Sequence, residues 1–173
     1  MVTAAGSTMR KQERMEAAMS DFAGRIGESV RVARETEKQE RETKRQREEE
    51  LATALRQDQR RASELTERIW EQVRAAGHAS DGALLVDRNS GGARTTFQLH
   101  WQESQPARSL QIVVDEVDGT IQASWVVATD YGRSVDAPSV MASRFEIAQL
   151  ESVILLLIDQ RRWAGGALPM IPW

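Results

Sequence analysis

The sequence predicts an α+β protein: a long N-terminal helix of coiled-coil type, then a small four-stranded antiparallel meander with a C-terminal helix packed on it. Three observations carry this. Residues 7–76 contain no proline and are dominated by Ala, Glu, Arg, Gln, Met and Leu, all good helix formers. Between residues 83 and 128, β-type runs alternate with Asn, Asp and Gly turn clusters. From Ser143 a capping pattern opens a run whose second half is apolar. Gly77, placed as a helix C-cap, divides the chain into 1–77, the charged helix, and 78–173, the head.

A helix this long outruns any single small core, so most of it must lie against another helix or stand in water. Met15, Met19, Phe22, Ile26 and Ala33 recur at helical spacing, as do Leu51, Leu55, Ala62, Leu65 and Ile69. These are two narrow seams of coiled-coil type, each expected to pair with a second copy of the chain. Between them residues 35–50, ETEKQERETKRQREEE, hold no apolar residue but place Glu37 before Arg41 and Glu40 before Lys44 at i,i+4. The step from Ala33 to Leu55 is 22 residues, which suits two 11-residue repeats and hence a nearly straight seam. Gly24 and Gly27 each cost about 1 kcal/mol in a helix interior. They are read as sites of close helix approach, with a break into a hairpin as the alternative.

Charge and composition narrow the function classes. The 173 residues carry 23 Lys+Arg against 26 Asp+Glu, a net charge of −3. Neither side of Gly77 is a basic or acidic tail, so bulk charge disfavours both nucleic acid and anionic membrane as partners. There is no cysteine, which removes disulfide frameworks, thiol nucleophiles and Cys-based zinc sites. Nowhere do 18 apolar residues run together, and no signal-peptide core precedes the helix; a cytoplasmic protein without membrane contact is expected.

In the head, residues 83–88 form a first strand and residues 94–102 a second, with Phe97, Leu99 and Trp101 on one face. Closing that hairpin on Asn89-Ser90-Gly91-Gly92 sets Leu84 against Phe97 and Asp87 against Arg94. A second hairpin closes on Asp118-Gly119, setting Val114 opposite Ala123, Ile112 opposite Trp125 and Leu110 opposite Val127. After an Asp130-Tyr131-Gly132 turn, the capping box Ser143-x-x-Glu146 opens a helix reaching about Trp163, stopped by Gly165-Gly166. Residues 153–158 (VILLLI) are apolar all round, which demands cover on two faces. The second cover is either the end of the long helix or a neighbouring subunit. Val153, Ile154 and Leu157, with Met170, Ile171 and Trp173 of the apolar tail, are therefore candidate partner-contacting residues.

No catalytic, cofactor-binding or metal residue emerges, and no cofactor is expected. The acidic cluster Asp115, Glu116 and Asp118 would need to converge to hold a divalent ion or work as acid and base. The predicted register instead points Asp115 away from Glu116. His78 and His100 share no face of one element. Arg31, Arg34, Arg41, Lys44, Arg45 and Arg47 could contact phosphates, but the alternating Glu residues cancel their field. The expected function is a non-enzymatic oligomerising scaffold or adaptor, a homodimer through the long helix that presents its head to a protein partner. The alternatives are a nucleic-acid-associated coiled coil using the helix arginines, and a divalent-metal enzyme centred on Asp115, Glu116 and Asp118.

Overall fold

The computed structural model describes residues 5–104, 107–127, 133–136, 138–164 and 168–172, with side chains for residue 19 and from residue 21 onward except 133–136. The side chain of Met15, the Asp130-Tyr131-Gly132 turn, Gly165-Gly166 and Trp173 lie outside the described residues. The chain is α+β. Helix α1 runs Ala5–Ala79, 75 residues, and passes through Gly24 and Gly27 without a break. Strands β1 (Leu84–Gly91), β2 (Arg94–Trp101), β3 (Arg108–Asp115) and β4 (Thr120–Val127) form an antiparallel meander. Two further strands, β5 (Arg133–Asp136) and β6 (Val140–Met141), both pair with the far edge of β4. Then come a 3₁₀ turn (Ala142–Arg144), α2 (Ile147–Ile158) and the short α3 (Gln160–Trp163).

The compact units divide at Met1–Leu51 and Ala52–Trp173, not at Gly77. The physical reason is packing: Ala62, Leu65, Ile69 and Val73 of α1 are fully buried in the core of the second unit. The last third of the helix is thus part of the head. That core is one cluster on one face of the sheet, built from Leu84 of β1, Phe97, Leu99 and Trp101 of β2, Leu110, Ile112 and Val114 of β3, and Ile121, Ala123 and Trp125 of β4. Strand pairing brings these side chains together row by row, as in Leu99↔Leu110↔Trp125 and Phe97↔Ile112↔Ala123. Trp70 of α1 stacks on Phe97 at 6.3 Å, and α2 inserts Leu150, Val153, Ile154 and Leu157 into the same cluster.

Both hairpins exist, but in shifted registers. The first closes on the two residues Gly92 and Ala93, so that Leu84 meets Trp101 and Asp87 meets Gln98. Gly92 has φ 63°, at the position a type II′ turn reserves for glycine. The second closes on a four-residue loop, Asp115 pairing with Thr120 and Val114 with Ile121. Asp115 Oδ1 accepts from the backbone N–H of both Val117 and Asp118 at 3.1 Å, which holds the longer loop. The shifts are of four and two residues, both even, so each apolar side chain keeps the face assigned to it.

The C-terminal helix also departs from expectation. The Ser143 N–H donates to Asp58 Oδ1 at 3.0 Å, and Phe145 is extended and buried, so Ser143 cannot cap α2. Glu146 and Gln149 close the N-terminus instead, the Glu146 N–H donating to Gln149 Oε1 at 2.9 Å. Asp159 ends α2 in an extended conformation and caps α3 by accepting from the Arg161 N–H. α3 folds back, its Trp163 Nε1 donating to the Leu156 carbonyl at 2.7 Å. Much of the cover that residues 153–158 require therefore comes from within the chain, and only Leu155 stays largely exposed, at 66%.

Where α1 crosses the β3–β4 loop, a Cβ on Gly119 would stand 2.6 Å from Asp58 Cβ and 2.8 Å from its carbonyl carbon. With φ at 63° this glycine is needed twice over. Gly119→Ala should lower stability by about 2–4 kcal/mol in urea denaturation, combining strain and overpacking. Gly24→Ala, in open space on the helix, should raise helix stability by roughly 0.5–1 kcal/mol.

Candidate interaction surface

The most unusual surface is on α1. From Asp21 through Gln57 every side chain is exposed. The helix forms there because residues 35–50 are mostly strong helix formers laced by local ion pairs, Arg41–Glu37 at 2.5 Å and Lys38–Glu42 and Lys44–Glu48 at 3.9 Å, with Arg31–Glu28 at 2.7 Å ahead of them. Lys44 pairs forward with Glu48 rather than back with Glu40. Exposed pairs like these add only a few tenths of a kcal/mol each. They hold the helix without giving its apolar residues any cover.

Those apolar residues are large. Met19 is 67% exposed, Phe22 65% and Ile26 50%, with Val30 on the same stripe and Leu51 and Leu55 further along. A stripe of Met, Phe, Ile and Val in water leaves unrealised the roughly 1.5–3 kcal/mol that burying each such side chain is worth. The second predicted seam is divided. Leu51 and Leu55 are exposed, but Ala62, Leu65 and Ile69 are fully buried against the chain's own sheet and are not open to another copy. Sequence periodicity could not make that distinction, because a helix facing a sheet and a helix facing a helix show the same spacing.

The candidate partner residues of the head are likewise spent internally. Val153 and Leu157 are fully buried, Ile154 and Ile171 nearly so, all within the core cluster. Among the described ones only Met170 stands out, 89% exposed. The tail is fixed by Trp125, whose Nε1 donates to the Pro169 carbonyl at 2.7 Å and whose ring meets Trp163 edge-on at 5.2 Å. Arg108, opposite Trp101 in the β2–β3 pairing, closes the same end of the sheet. Its Nη2 donates to the Ile158 carbonyl at the C-terminus of α2, and its guanidinium lies 4.6 Å from the Trp163 ring centre. Burial lowers the Arg108 pKa, opposed by the charge of Asp159. Arg108 Nε and Trp101 Nε1 are buried donors that make no hydrogen bond.

The acidic cluster does not converge. Asp115 pairs with Arg94 at 2.7 Å, Glu116 accepts from Thr66 Oγ1 at 3.3 Å, and the Asp118 N–H bonds back to Asp115. Among the described residues no three His, Cys, Asp or Glu side chains are grouped to hold a metal ion. His78 sits in the last turn of α1 and His100 on the outer sheet face opposite Ser109. β1 is an edge strand of the sheet, and its outward donors are partly taken. Ala83 bonds to Gln102, so the even-numbered residues of β1 turn their backbone outward. Two of those outward donors are taken: the Leu84 N–H by Ser80 Oγ at 3.0 Å and the Arg88 N–H by Asp87 Oδ1 at 2.8 Å.

No helix among the described residues is long and apolar enough to cross a membrane. No protein-family model, curated protein or solved structure matches the chain.

The Arg94 hydrogen bond, with the loop N–H groups, holds the Asp115 carboxyl below the usual aspartate range. A depressed carboxylate stabilises the fold above its unfolded value, and that contribution is lost as pH falls through the folded one. Asp115→Asn should therefore cost roughly 1 kcal/mol at pH 7. The gap between variant and parent melting temperatures should close in strongly acidic buffer.

Proposed function

We propose that the chain is a non-enzymatic, self-associating scaffold or adaptor of the cytoplasm, in which the exposed first part of α1 joins copies and the α+β head is the presented module. The observation that carries this reading is the stripe Met19, Phe22, Ile26 and Val30, exposed at 67%, 65%, 50% and 43% on the first part of α1. Apolar positions at steps of three and four on an otherwise charged helix suit a second helix better than a flat surface. Joining heads through a common helix raises their effective concentration at any repeated target, which is how a scaffold without catalytic groups gains avidity.

Phe22→Glu combined with Ile26→Glu should convert an oligomer to a monomer in light scattering while leaving the melting temperature of the head unchanged. An unaltered mass in the double variant would reject the stripe as the assembly surface. Leu65→Glu, in contrast, should unfold the head, because it places a carboxylate among fully buried side chains.

A further inference from the structure

Residues 168–172, Leu-Pro-Met-Ile-Pro, form no helix or strand, yet the head holds them. Ile171 is the one residue of this tail in the core cluster, and Leu168 packs against it. Met170 between them is 89% exposed. Each inward residue stands directly before a proline, Leu168 before Pro169 and Ile171 before Pro172. Proline disfavours the helical region for the residue preceding it, so both anchors are biased to an extended backbone before the segment meets anything. They are three residues apart, one turn of a polyproline II helix, which puts both on the same side. The burial, inward at 168 and 171 and outward at 170, has that period.

The seat is equally specific. Trp125 is fully buried on β4, and its Nε1 donates at 2.7 Å to the Pro169 carbonyl, which lies between the two anchors. Among the described residues this is the only hydrogen bond that the tail makes. An indole donor aimed at a backbone carbonyl, beside places for aliphatic side chains, is how aromatic-lined grooves take proline-containing segments. If the tail departed, Trp125 Nε1 would lose its acceptor and the place of Ile171 would open. A second segment with a carbonyl and an aliphatic residue at the same spacing restores both. Its prolines restrict the free segment, so it gives up little conformational entropy on binding.

We propose that this seat is a binding groove for an extended partner peptide with two aliphatic-Pro steps three residues apart, and that the chain's own tail is its in-cis occupant. Tethered to the head, the tail sits at an effective concentration that a free peptide must overcome, so it acts as a competitive gate. The groove lies wholly within the head and goes beyond the self-association proposed above; peptide binding and oligomeric mass can fail independently.

The full-length chain and its Ile171→Asp variant are titrated with a fluorescein-labelled peptide, ALPMIPW, the sequence of residues 167–173, and binding is followed by anisotropy. The variant releases its own tail, so it should bind the peptide about ten-fold or more tighter than the parent does. A variant that keeps the parent's circular dichroism without gaining affinity overturns the proposal. So does a variant that unfolds, since the tail is then part of the core and not a guest in it. A second variant reads displacement directly. The chain has no cysteine, so the thiol of full-length Ile171→Cys is the only one present, and unlabelled peptide should raise its rate of reaction with a maleimide in proportion to peptide concentration. A rate independent of the peptide overturns the proposal. In the Phe22→Glu, Ile26→Glu background, a dimeric mass that Ile171→Asp abolishes would make the occupant a second copy's tail and reject the partner peptide.

Discussion

The fold depends on the burial of the last third of α1 against one face of the sheet. Leu65, Ile69 and Val73 lie in the same cluster as Phe97, Leu99 and Ile112. Without that contact the sheet would keep only α2 and α3 as cover. A meander of this size with half its apolar face wet would be marginal. The contact is also pinned at its edges by polar groups. Arg88 reaches Glu67 at 2.7 Å while lying over Trp70 and Phe97, and Gln59 donates to the Val117 carbonyl. Glu67 lies low in pKa because it accepts from that arginine. The helix end is thus fixed along its length, and the residues before it are left to do something else.

Much of this was legible in the sequence. The long helix, both hairpins and the face of every core strand residue follow from spacing and turn chemistry. What spacing could not supply was register. Asn89-Ser90-Gly91-Gly92 reads as a four-residue loop, yet the ladder runs on to Gly91 and the positive φ of the turn falls on Gly92. Asp118-Gly119 reads as a two-residue turn, yet Gly119 is there for the close approach of Asp58. That contact spans 61 residues, and no local pattern announces it.

The same limit explains the fate of the proposed sites. Val153, Ile154 and Leu157 look like an unpartnered face only if the helix is assumed to continue beyond Ile158. The Asp159 cap turns α3 back, and Trp163 closes on Leu156. Ala62, Leu65 and Ile69 look like the continuation of a coiled-coil seam because their spacing is identical to that of Leu51 and Leu55. Burial separates them, and burial depends on residues fifteen or more positions downstream. Met19, Phe22, Ile26, Leu51 and Leu55 of the predicted seams, and Met170 of the tail, are the predicted contact residues whose side chains are exposed.

The order of these segments along the chain has a consequence for synthesis. α1 leaves the ribosome before any strand that will cover it. Leu65 precedes Val127, the end of β4, by 62 residues, roughly 3–12 s at ordinary elongation rates. During that interval Leu65, Ile69 and Val73 carry the same helical spacing as the stripe ahead of them, and the whole length of α1 is a candidate for pairing. Until the sheet arrives, those three side chains have no core to enter, and the head closes only once β2, β3 and β4 have reached them.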